Sequence, residues 1–243
     1  MTATARIIVG VAITLAAITG FAGSVSAQQS KWCDDPNATV DQTISGCTAD
    51  IQSGRFSGKD LAGKFNNRGI AYTQKGQYDR AIADHSEAIR LNPNYARAFG
   101  QRCVARYDKD DNEGAIADCS EALRLDNTLN FLFNWRGSAY ELKGDFDRAI
   151  SDYTEAIKRI PNEPSVYGNR CMALIKKKEY RGALTDCDQA IRLAPKAIYG
   201  YYNRAKIYEA LGERDRAIAD YRTVFTLGGK SAAEELKRLG ELP

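Results

Sequence analysis

The stretch "AIADHSEAIRLN", residues 81–92, decides how the rest of the chain is read. It recurs as "AIADCSEALRLD" at 115–126, "AISDYTEAIKRI" at 149–160, "ALTDCDQAIRLA" at 183–194 and "AIADYRTVFTLG" at 217–228. Each copy starts 34 residues after the one before. Ala81, Ala115, Ala149, Ala183 and Ala217 therefore fall in step, as do Ala88, Ala122, Ala156, Ala190 and Val224. Asp84, Asp118, Asp152, Asp186 and Asp220 form a third series. One slot varies, holding His85, Cys119, Tyr153, Cys187 and Tyr221 in turn. Self-similarity at this period marks an array of stacked units.

Each unit reads as two helices. From Tyr78 to Leu91, Ala81, Ile82, His85, Ala88 and Ile89 recur at helical spacing. Upstream, "FNNRGIAY" (65–72) sets Phe65, Gly69 and Tyr72 on one face of a first helix. That helix carries a further series in register, Arg68, Arg102, Arg136, Arg170 and Arg204. Gly76, Gly144 and Gly212 mark the turn between the helices, and Pro93, Pro161 and Pro195 close the unit. Helices this short are marginal alone in water, so neighbouring hairpins must stack to bury a core.

The period, the "FNNRGIAY" phrase, the paired alanines and the closing proline resemble the tetratricopeptide repeat family. The resemblance runs from Ala62 to about Gly229. It implies an all-α, α-solenoid fold of five helix-turn-helix repeats, at 62–95, 96–129, 130–163, 164–197 and 198–229. The second unit departs from the pattern, with Arg106 in place of the tyrosine and Asn127 in place of the proline. The fifth ends in two glycines. Before the array, residues 28–61 are expected to form a capping partial repeat, since "DQTISGCTADIQSG" (41–54) resembles a second helix with Cys47 in the slot of Cys119. The connection at 54–63 is about four residues longer than the strict period allows. After the array, 230–243 reads as a capping helix opened by a Ser231-x-x-Glu234 capping box. Its Leu236 and Leu239 are expected to cover the last apolar face, with Glu235 and Lys237 in water.

The first 27 residues read as an export signal. A basic start at Arg6, the apolar run "IIVGVAITLAAITGFAG" (7–23) and small Val25 and Ala27 before Gln28 are its three parts. An uncleaved membrane anchor is the alternative, because the run approaches spanning length. An exported chain, periplasmic or extracellular, is expected. The formal charge of +3 falls to +2 without Arg6, so no nucleic-acid footprint is expected. After signal cleavage no further membrane span is expected.

Six cysteines in an exported chain read as disulfides. Cys103 stands in the slot of Gly69, where the family packs its two helices closely, and Cys119 lies opposite; Cys171 and Cys187 repeat the arrangement. The expected bridges are Cys103–Cys119, Cys171–Cys187 and, by elimination and proximity, Cys33–Cys47. Buried free thiols, a metal site and a redox-active pair are the alternatives. The repeated charges imply structural ion pairs, Arg68–Asp84, Arg102–Asp118, Arg136–Asp152, Arg170–Asp186 and Arg204–Asp220, within a unit or to a neighbour, because a buried guanidinium needs a partner. The alternative is an arginine stripe that grips acidic ligands. His85 is expected to fill core. No catalytic residue, metal site or cofactor is expected, and the "NAT" at Asn37 is a glycosylation sequon only in a source that uses such sites.

The working surface is expected in the concave groove lined by first helices. Just before each arginine stands Asn67, Gln101, Trp135, Asn169 or Asn203. The series is similar to the asparagine ladder in the repeat region of O-linked N-acetylglucosamine transferase, whose amides grip an extended peptide. Gln101 is a near match, and Trp135 interrupts the ladder. Bracing of neighbouring helices is the competing role for these amides. Tyr107, Phe131, Tyr199 and Tyr202 are expected apolar anchors. Asn66 and Ile70 stand where a dicarboxylate clamp would need lysine and asparagine, so recognition of a terminal carboxylate is not expected. The reading is a non-enzymatic interaction scaffold, of the cell envelope or secreted space, that takes a protein or peptide. A structural subunit of an oligomer and a thiol–disulfide redox protein are the alternatives.

Overall fold

A computed structural model describes residues 31–241, and the expected signal segment lies outside them. The described residues are all-α and divide into two compact units, one ending at Leu91 and the other starting at Asn92.

The first unit holds α1 (Val40–Gln52), α2 (Gly58–Gln74) and α3 (Tyr78–Leu91). Thr39 opens α1 with a reciprocal capping box: its hydroxyl accepts from Gln42 N at 3.3 Å, and Gln42 Oε1 accepts from Thr39 N at 2.8 Å. The extra residues before the first repeat do not form a longer loop. They lengthen α2 to 17 residues, against 13 in the first helix of the next repeat.

The second unit holds α4 (Ala96–Asp108), α5 (Asn112–Leu125), α6 (Phe131–Leu142), α7 (Phe146–Arg159), α8 (Pro164–Lys176), α9 (Tyr180–Leu193), α10 (Ile198–Ala210), α11 (Arg214–Thr226) and α12 (Ser231–Arg238). Gly144 and Gly212 turn the chain between helices with φ of 78° and 77°. At the same place in the second and fourth repeats stand Asp110 and Lys178, which adopt the left-handed region without the freedom of glycine.

The repeated alanines build the core because only a small side chain lets hairpin helices approach closely. Ala115, Ala122, Ala149, Ala156, Ala183 and Ala217 are fully buried. In the second unit each repeat's cluster is completed by the next helix in line. Leu132 of α6 joins Cys103, Ala115, Cys119 and Ala122, and Val166 of α8 joins Ala149, Tyr153 and Ala156. At the end Ala232 and Leu236 of α12 close over Ala217, Tyr221 and Val224. This stacking makes the second unit a solenoid.

Two expectations about α12 need correction. Ser231 is the first helical residue, Lys230 is the N-cap, and no side chain caps the helix. Glu235 does not face water alone: it bonds Lys206 and Arg238 and accepts from Tyr202 Oη at 3.2 Å.

Candidate functional site

The repeated arginines of the first helices are spent inside the fold. In all five repeats the arginine Nε and Nη2 donate to both oxygens of the aspartate 16 residues on, at 2.7–2.8 Å. The fork geometry matches guanidinium to carboxylate, and the five aspartates are buried. The third donor, Nη1, crosses to the preceding repeat in Arg136 (Ser120 Oγ, 3.1 Å), Arg170 (Thr154 Oγ1, 2.9 Å) and Arg204 (Asp188 Oδ1, 2.6 Å). In the first unit Arg68 Nη1 reaches Thr48 Oγ1 of α1 at 3.1 Å. These arginines bolt successive hairpins together. Arg106, which replaces the family tyrosine, brings a second cation to Asp118 at 3.0 Å.

The cysteines pair as Cys33–Cys47, Cys103–Cys119 and Cys171–Cys187, with Cα–Cα distances of 4.5, 5.3 and 5.7 Å. No free cysteine remains among the described residues, and no grouping of His, Cys, Asp and Glu there is able to hold a metal ion.

The amide series does not form one uniform row. Asn67 Nδ2 donates to Cys33 O at 3.1 Å and Asp34 Oδ1 at 3.2 Å, bracing the turn that precedes α1. Beside it lies a cleft of about 280 Å³, lined by Asp34, Asp35, Asn67, Ile70 and Gln74 among others. Asn169 Nδ2 donates to Asn134 Oδ1 of α6 at 3.0 Å. Asn203 is buried and its Nδ2 has no partner, because Gly168 stands where Asn134 serves Asn169. The Tyr199 ring fills that space, 2.7 Å from where a Cβ on Gly168 would sit. Gln101 and Trp135 are half-buried, and Trp135 meets Tyr107 edge-on with centroids 5.1 Å apart.

The expected anchors also separate. Phe131 is 40% exposed, and Met172 of α8, which sequence reasoning passed over, is 39% exposed. Tyr202 is turned inward, edge-on to Tyr221 at 5.7 Å and bonded to Glu235, so it belongs to the cap. In the second unit the first helices touch in succession, α4 with α6, α6 with α8 and α8 with α10. Tyr107, Phe131, Trp135, Asn169 and Met172 thus lie along one layer.

Two glutamates on that layer were missed. Glu141 Oε2 accepts from Tyr153 Oη at 2.9 Å, and Glu209 Oε2 accepts from Tyr221 Oη at 2.6 Å. Burial pushes the Glu141 carboxyl up, although the Tyr153 bond and Lys176 oppose it. For Glu209 burial acts the same way, but bonds from Tyr221 and Arg238 outweigh it and the carboxyl is lowered. A signal existed in the sequence: both glutamates precede a slot tyrosine by 12 residues.

Models of the tetratricopeptide repeat match residues 64–95, 131–163 and 198–227, the first, third and fifth repeats. The two unmatched repeats are those with cysteine at the helix–helix contact. No curated protein sequence matches the chain. Among solved structures, it is similar to a crystal structure of MamA (22% identity, 68% of this chain and 96% of that one, TM-score 0.62). It is also similar to YrrB, described as a tetratricopeptide repeat protein with an unusual peptide-binding site (18%, 80% and 99%, 0.66). A third likeness is to PilF of Pseudomonas aeruginosa (15%, 89% and 96%, 0.71). At these identities the likeness is one of fold.

Proposed function

The chain belongs to the tetratricopeptide repeat family, and we propose that it is a scaffold that holds an extended protein segment on the first-helix layer of its second unit. One observation carries this reading: partly exposed apolar and amide groups stand on three first helices that touch in succession, α4, α6 and α8. Phe131, Met172 and the Tyr107–Trp135 pair supply apolar area, and aromatic anchors of this kind dominate many interfaces. Beside them the Asn134–Asn169 pair keeps an amide N–H group on Asn134 and a carbonyl lone pair on Asn169, a donor and an acceptor suited to one peptide group.

Three bridges favour an oxidising compartment, consistent with export through the N-terminal segment. No described helix is long and apolar enough to cross a membrane. The test is cross-linked capture from an envelope extract by residues 28–243, compared with the Phe131→Ser, Trp135→Ala double variant. Loss of the captured proteins in the variant is expected, and an unchanged set removes this face from consideration. Light scattering addresses the structural-subunit reading, which predicts a stable homo-oligomer that covers the same layer.

A further inference from the structure

Glu141 and Glu209 occupy one repeated position, 68 residues apart, and each is held by the buried tyrosine of its own repeat. Their surroundings then diverge. Glu209 receives the Arg238 guanidinium of α12, and Lys206 Nζ lies 3.8 Å away. Glu141 has no cation at ion-pair distance among the described residues; Lys176, exposed on α8, is the opposing charge it senses.

Register explains the difference. Arg170 stands to Glu141 as Arg238 stands to Glu209, again 68 residues apart. Arg170 is turned away to Asp186 at 2.7 Å and Thr154 at 2.9 Å. α12 has no second helix behind it among the described residues, hence no counterpart of Asp186, and Arg238 folds onto Glu209 instead. The cap helix is therefore a segment of this chain that displays what the position accepts once a cation is free to approach.

The neighbourhood of Glu141 suits the same visitor. Trp135, Ser138 and Glu141 are three residues apart on one face of α6. Tyr107 faces Trp135 edge-on, and burial first, then the Glu141 carboxylate, raises its phenol. Aromatic faces attract a cation, and a half-buried carboxylate without an ion partner gains from one.

We propose that the first-helix layer of the second unit selects a basic side chain, arginine or lysine, of the bound segment, with Glu141 as counter-ion and Tyr107 and Trp135 as flanking walls. This rests on the segment-binding reading above and specifies its ligand. The carboxylate also rejects an acidic side chain at that point, which gives the layer a register along its partner.

The test is selection of a random heptapeptide display library on the wild-type chain and on Glu141→Gln, Glu141→Lys and Glu209→Gln, each checked by thermal melting. Wild type should enrich peptides with arginine or lysine at one position. Glu141→Gln, which still accepts from Tyr153, should lose that preference and bind the selected peptide about tenfold more weakly. Glu141→Lys should favour aspartate or glutamate there, and Glu209→Gln should keep the wild-type profile. Replacing the selected arginine with neutral citrulline repeats the test on unaltered protein, with the same tenfold loss expected. Enriched peptides without a basic residue, or a basic preference that survives Glu141→Gln, overturn the inference and leave segment binding standing. No enrichment, or enrichment insensitive to Trp135→Ala and Asn169→Ala, removes the segment-binding reading and this inference with it.

Discussion

The variable slot of the repeated phrase is settled by the residue that faces it. His85, Cys119, Tyr153, Cys187 and Tyr221 are all fully buried. Opposite them in register stand Gly69, Cys103, Gly137, Cys171 and Ala205. A large ring requires a residue with little or no side chain across from it, while two cysteines share the space as a bridge. A Cβ on Gly137 would come within 2.8 Å of the Tyr153 ring. Gly137→Ala is therefore expected to cost about 1–3 kcal/mol in urea unfolding; an unaffected midpoint would mean that the ring has room to move. The arginine–aspartate forks are the second residue-scale device. Asp152→Ala leaves Arg136 with a half-buried charge and is expected to cost about 3–5 kcal/mol. Changing Arg136 to Met in the same chain should recover part of that loss, and simple additivity of the two changes would contradict a coupled pair.

At the scale of the element, α12 is held by charge as well as by burial. It buries Ala232 and Leu236, yet its polar side is tied to α10 through Glu235–Lys206 and Arg238–Glu209. Hydrogen bonding from Lys206 holds the Glu235 carboxyl below its ordinary value against some burial cost, with Arg238 adding to the effect. A lowered folded-state pKa gives stability that is present above the unfolded value of about 4.3 and is lost as pH falls through the folded value. Glu235→Gln should thus melt earlier than wild type at pH 7, and the gap should close below about pH 4. A gap constant from pH 7 to pH 3 would show that the ion pair contributes nothing. Sequence reasoning gave α12 its position and apolar face but set Glu235 in water. Periodicity reports which face a residue occupies, and says nothing of a lysine arriving from the neighbouring helix.

On the scale of the molecule, stability comes from repeated local contacts reinforced by three short covalent rings, with sequence separations of 14, 16 and 16. Each ring of this size is worth about 3 kcal/mol in the chain-entropy model. Reduction should lower the denaturation midpoint markedly, and a thiol count on unreduced protein should find none; detectable free thiol would argue against an oxidising destination. The 34-residue period pointed to the helix pairs and set each arginine in step with an aspartate, while the partners of Cys103 and Cys171 also needed the close helix contact that the family resemblance implies. In a solenoid each of these contacts recurs at a constant separation, so a linear pattern carries it. The tertiary structure alone decided which amides remain available: Asn67 is taken by Cys33, Asn169 bonds Asn134 through its N–H and keeps its carbonyl, and Asn203 is buried where Gly168 offers nothing. It also decided that, among the described residues, Glu141 lacks the cation its repeat-mate Glu209 receives. The choice among partners for one side chain turns on differences of about 1 kcal/mol, set by whatever the neighbouring elements bring near. Those neighbours differ most where the repeat breaks, at its ends and at its substituted positions, and no period records them.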